Sequence, residues 1–124
     1  MSQFAESKII DGKIAYFRFN KGAGPETFQE IFPDFQAKVN SPAVDRMVVD
    51  VQMDDAWDKS IQDTWLQTGK VASDAGITRW GVVTAEPTKR MTIEFLIKGG
   101  KERDRAYDTF VSEDLNEVLE WIRT

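Results

Sequence analysis

Arg46-Met47-Val48-Val49-Asp50-Val51 is a short apolar run rich in β-branched residues, with almost no polar alternation. A strand with so little polar character on either side suits cover on both faces, as in the middle of a sheet packed with helices. The rest of the chain is constrained by the need to supply that cover. Before the run, Thr27-Phe28-Gln29-Glu30 fits a capping box, and Phe28, Ile31, Phe32, Phe35 and Val39 follow at helical spacing. Pro33 falls inside this helix and deletes the bond to the carbonyl of Gln29, which predicts a kink or a later start; Asn40-Ser41-Pro42 ends it. After the run, Ile61, Trp65, Thr68, Ala72 and Ala75 mark a second helix that stops at Gly76, a natural left-handed C′ residue.

The flanking segments complete an alternating order. Asp11-Gly12, between Lys8-Ile9-Ile10 and Lys13 to Phe19, tolerates the positive φ of a tight hairpin turn. In the second arm Ala15, Phe17 and Phe19 are expected on a core face and Tyr16, Arg18 and Asn20 on a mixed one. Ile77 to Thr84 forms another interior strand pattern. Between Glu86 and Gly100 the periodicity divides, since Met91, Ile93, Phe95 and Ile97 alternate while Met91, Phe95 and Leu96 fit one helical face. Pro87 near a first turn and the Gly99-Gly100 stop favour helix. Arg105 to Val111 reads as a last strand. Ser112 is the expected N-cap of a final helix, with Glu113 and Asp114 at the positive end of its dipole and Leu115, Val118, Leu119 and Ile122 as its buried stripe. The expected fold is a single α/β domain over residues 1–124, a mixed central sheet with helices packed against it in the order β-β-α-β-α-β-α-β-α.

Composition then narrows the chemistry. The 124 residues include no Cys and no His, which removes thiol nucleophiles, Cys/His metal sites and imidazole bases. A net charge of −5 disfavours nucleic acid and anionic membranes. No apolar run approaches the ~20 residues of a transmembrane helix, and Met1 to Glu6 lacks the basic and apolar character of a signal peptide. A cytoplasmic setting is expected. Gly22-Ala23-Gly24 and Gly99-Gly100 match no phosphate-cradling loop, so neither a nucleotide site nor any other cofactor is predicted.

The element order over nearly the whole chain, with Met47 to Val51 leading through a short loop to a helix at Asp58, resembles the STAS domains, and in particular the small SpoIIAA-like proteins. Gly81-Val82-Val83-Thr84 before Glu86-Pro87, and Tyr107-Asp108-Thr109-Phe110 before Leu115 to Ile122, are similar to that group in hydrophobic pattern. In STAS proteins of the anti-sigma-antagonist type an Asp-Ser-Ser-Gly stretch opens the second helix, and its second Ser is phosphorylated by a partner kinase. Asp58-Lys59-Ser60-Ile61 resembles that stretch at Asp58 and Ser60 and departs from it at Lys59 and Ile61. The resemblance implies an interaction surface over the loop and helix start from Asp54 to Trp65, and Ser60 as phosphoacceptor; the plainer reading makes Asp58 or Ser60 a helix cap.

Asp54, Asp55 and Asp58 offer oxygen ligands for a hard cation, yet their spacing does not match a calcium loop, and a solvated acidic loop is the expectation. Trp57 among them is the best candidate for an exposed aromatic contact, whereas Trp65 and Trp121 sit near helical stripes and are expected to be structural. Six basic residues against three acidic ones between 89 and 105 give that segment +3 and leave −8 on the remainder. Lys89 and Arg90 beside Met91, Phe95 and Ile97 fit a groove for an anionic amphiphile, or a solvated helix with its apolar side in the core. The function expected is a non-enzymatic protein-interaction or regulatory module, binding a protein partner or a second copy of itself as a homodimer. The alternative is a small carrier of a lipid-like ligand.

Overall fold

The computed structural model describes residues 4–52, 59–84 and 107–124. The hairpin forms as the turn chemistry dictates. Strands β1 (Ala5–Ile10) and β2 (Ile14–Phe19) pair antiparallel around Asp11 and Gly12, at φ 55° and 72°, and Lys13 N–H donates to the Ile10 carbonyl at 3.1 Å. Helix α1 (Pro25–Val39) follows, then β3 (Arg46–Val51), α2 (Lys59–Asp74), β4 (Arg79–Val83), β5 (Asp108–Ser112) and α3 (Leu115–Arg123). The sheet order is β1-β2-β3-β4-β5, parallel from β2 onward, with β3 at its centre. This is an α/β arrangement with a five-stranded mixed sheet and, among the described residues, three helices. The segment from Glu86 to Gly99, where a further helix is expected, lies outside the described residues.

Each crossover from β2 to β3 and from β3 to β4 advances one strand in the same direction, and right-handed crossovers then place α1 and α2 on the same face. Ala15, Phe17, Phe19, Met47, Val49, Val51, Trp80 and Val82 point to that face and pack under Phe28, Ile31, Phe35 and Val39 of α1 and Trp65 and Ala72 of α2. The opposite face carries a second core, in which Ile14, Tyr16, Val48 and Val83 meet Val118 and Ile122 of α3. Tyr16 is thus buried while Arg18 beside it on the same face is half-buried, the mixed second face expected of β2, and both sides of the strand are covered. The last carbonyls of α3 are tied to neighbouring strands, Ile122 by the Arg46 guanidinium and Trp121 by Arg79 at 3.1 Å. Cations placed there also complement the negative end of the helix dipole.

Three local expectations are revised. Helix α1 begins one turn early, with Gly24 as its N-cap; Pro25 suits the first turn because no N–H is needed there. Thr27 lies at N3, where its Oγ1 accepts from Gly24 N–H at 3.1 Å, so it closes the cap rather than opening it. The helix runs unbroken through Pro33, held by Phe32 and Phe35 against the core on either side of it. Ser112 is the last residue of β5 and Asp114 is the N-cap of α3, its Oδ1 accepting from Asn116 N–H at 2.8 Å. Ser112 pairs with Val83 in the sheet, and that pairing holds it in extended backbone two residues too early to cap. Gly76 terminates α2 at φ 94°, as its position predicts.

Candidate functional site

Helices α1 and α2 lie side by side over the sheet, and a groove of about 220 Å³ runs between them on the outer side. Phe28, Gln29 and Phe32 line it from α1, and Thr64 and Gln67 from α2. Spacings of three and four residues bring these side chains to one strip of each helix. Phe28 stacks on Phe19 of β2, with centroids 4.2 Å apart and planes 18° apart, and Phe35 tilts against Phe17 at 5.2 Å. Phe32 sits at the margin of this aromatic layer, half-buried and 5.7 Å from Phe35, so its ring forms part of the groove. Deeper still, a cavity of about 20 Å³ lies among Phe17, Phe19, Phe35, Val49 and Trp65, with Phe28, Phe32 and Thr64 shared between cavity and groove. That volume holds about one water.

Among the described residues the groove's polar lining consists of two carboxamides and a hydroxyl, without an ionisable group, over an aromatic floor. Such a surface offers donors and acceptors to peptide groups and van der Waals contact to an apolar side chain. The described lining offers no countercharge to a phosphate or a carboxylate.

On the opposite face, at the C-terminal end of the parallel strands, Asp50 is buried at 2% exposure inside β3. Tyr16 Oη donates to its Oδ2 at 2.7 Å, and Gln52 Nε2 donates to its Oδ1 at 2.5 Å. The neighbouring half-buried Arg18, in register with Asp50, has a buried Nε with no hydrogen-bond partner among the described residues. Burial first, and then the hydrogen bond to Asp50 and its negative charge, push the Tyr16 phenol well above its ordinary range. A phenol held so firmly protonated serves as a donor, and is neither nucleophile nor base near neutral pH. The pair anchors β2 to β3. At the edge of the same row, Ser112 Oγ donates to Glu117 Oε2 at 2.7 Å and accepts from Asp114 N–H at 3.1 Å.

Of the residues singled out from sequence, Asp54, Asp55, Trp57 and Asp58 lie outside the described residues, as do Lys89, Arg90, Met91, Phe95 and Ile97. Ser60 falls in the first turn of α2. Trp65 is core, stacked on Trp80 at 4.6 Å, and Trp121 stacks on Phe110 at 5.6 Å, so both are structural as their stripes predict. Among the described residues no group of three or more acidic side chains converges as a metal site would require, and no helix is long and apolar enough to cross a membrane. Two features escaped the sequence reading. Asp50 carried a signal, a lone carboxylate inside a run buried on both faces, which must find a donor. The groove carried a weaker one, the five apolar positions of α1, which exceed what a narrow stripe can hide and leave Phe32 at the margin. Comparison with protein-family models, with curated proteins and with solved structures finds no match to this chain.

Proposed function

We propose that this chain is a non-enzymatic interaction module, and that the groove between α1 and α2 receives an apolar side chain of a protein partner together with its flanking backbone. The observation that carries the reading is the groove itself: an aromatic floor of Phe28 and Phe32 beneath a neutral rim of Gln29, Thr64 and Gln67. Size points the same way. About 220 Å³ falls below the roughly 300–1,000 Å³ of sites that enclose a drug-sized ligand. The adjoining 20 Å³ cavity is far too small for an acyl chain, which weighs against a lipid carrier at this place. The carrier alternative rests on residues 89–97, outside the described part. The resemblance to STAS and SpoIIAA-like proteins supports the module reading, because the partner surface it implies, from Asp54 to Trp65, includes Thr64 of the groove. Ser60, in the first turn of α2, is the phosphoacceptor that the same resemblance implies.

The test is selection of a displayed peptide library on the full-length chain, followed by affinity measurement against Gln67→Trp, which fills the groove from an exposed helical position. Selected peptides are expected to share an apolar anchor residue and to lose at least tenfold in affinity for the variant. Peptides that bind the variant as well as the original chain, or a selection that yields no groove binder, would refute the proposal.

A further inference from the structure

Among the described residues β1 is the outermost strand of the sheet, and Glu6, Lys8 and Ile9 on it are exposed, Ile9 at 41%. Its backbone polarity is set by the hairpin. Asn20 N–H donates to the Phe4 carbonyl at 2.8 Å, and the register continues with Glu6 opposite Arg18 and Lys8 opposite Tyr16. In an antiparallel ladder alternate residues bond to the same neighbour, so Glu6, Lys8 and Ile10 bond toward β2 while the N–H and C=O groups of Ala5, Ser7 and Ile9 point to the outer edge. We infer that this edge pairs with β1 of a second copy of the chain, in antiparallel register with Ser7 opposite Ser7, joining two sheets into one.

The charges select that register. Outward bonding by odd-numbered residues allows only pairings of odd with odd, which leaves three registers near the middle of the strand. Centring on Glu6 sets Glu6 against Glu6, and centring on Lys8 sets Lys8 against Lys8, each a like-charge pair. Centring on Ser7 sets Glu6 against Lys8 of the second copy, and Lys8 against Glu6. These fall at the non-hydrogen-bonded positions, where side chains across a ladder approach most closely. The same register lays Ile9 against Ala5 of the second copy, removing the exposed aliphatic side chain from water, and adds about six backbone hydrogen bonds from three bonded pairs. Charges on an edge strand ordinarily repel a second strand. Here their alternation of sign makes the strand its own complement, as a two-fold interface requires.

Sedimentation equilibrium on the full chain, up to about 1 mM, tests this. The chain is expected to dimerise, less tightly at high salt. Glu6→Lys and Lys8→Glu each turn both cross-strand charge pairs repulsive and are expected to weaken the dimer roughly tenfold. Mixing the two variants restores assembly as a heterodimer, because every charge again meets its opposite. A chain that stays monomeric over the whole range overturns the inference, as do variants that assemble like the original or a mixture that does not recover. If either variant fails to fold by circular dichroism, amide exchange on the unmodified chain decides: protection of Ser7 and Ile9 N–H must rise with protein concentration, and constant protection overturns it.

Discussion

Replacing Gly81 by alanine sets a methyl group where α3 presses on the sheet. Gly81 lies in β4 on the face that carries Val48 and Val83, and a Cβ built there collides with Cγ1 of Val118 and reaches Ile122 Cδ1 and Val48 Cγ2 at 3.7 Å each. Val118 and Ile122 are fully buried and cannot swing into solvent. Overpacking of this kind costs about 1–3 kcal/mol. Removing glycine from a strand interior recovers about 0.5–1 kcal/mol of backbone entropy, so the net loss expected is about 1–2 kcal/mol. For a chain of this length that corresponds to a melting point lower by roughly 4–8 °C. Urea unfolding should show a lower midpoint at unchanged slope, since the surface exposed on unfolding is nearly the same. Val118→Ala alone should cost about 2 kcal/mol through its cavity. The double variant should lose less than the sum of the two by about 1 kcal/mol, because the new methyl fills the vacated space. A Gly81→Ala protein as stable as the original, or strictly additive losses in the double variant, would show that α3 does not seat on β4 as described.

Tyr16→Phe removes the donor that satisfies buried Asp50 and should cost about 1–3 kcal/mol at neutral pH. It should also flatten the alkaline limb: with its folded pKa raised, Tyr16 contributes stability that is complete below the ordinary phenol value of 10.0 and is lost as pH rises above it, a loss the variant lacks in urea titrations between pH 9 and 11. Asp34 lies at the other extreme. Partial burial pulls its pKa upward, but hydrogen bonds from Lys38 at 2.6 Å and from Ser7 outweigh this and hold it below its ordinary 3.8. Its stabilisation is therefore present above that pH and lost as pH falls through the lowered value. The carboxylate is 42% exposed, so Asp34→Asn should cost only about 0.5 kcal/mol or less at pH 7, with a correspondingly shallower acid limb by thermal melts.

What was legible in the sequence was local. The Asp11-Gly12 turn, the Gly76 stop, the stripes of α1, α2 and α3 and the both-faces-apolar β3 each depend on residues a few positions apart, whose sterics and periodicity act before any tertiary contact forms. The caps differ from Thr27 and Ser112 because several residues in each segment can cap: Pro25 fits the first turn of a helix that starts at Gly24, and the pairing of Ser112 with Val83 leaves the cap of α3 to Asp114. Tyr16 and Asp50 meet across 34 positions of sequence, and the burial that lifts the phenol's pKa exists only once β2 and β3 are paired and covered. The groove likewise belongs to neither helix alone; its volume is the space left where α1 and α2 pack over one sheet. Periodicity settles which face of an element is apolar. Only the packed structure decides which apolar faces meet, how closely, and which polar groups lose their water and must find partners.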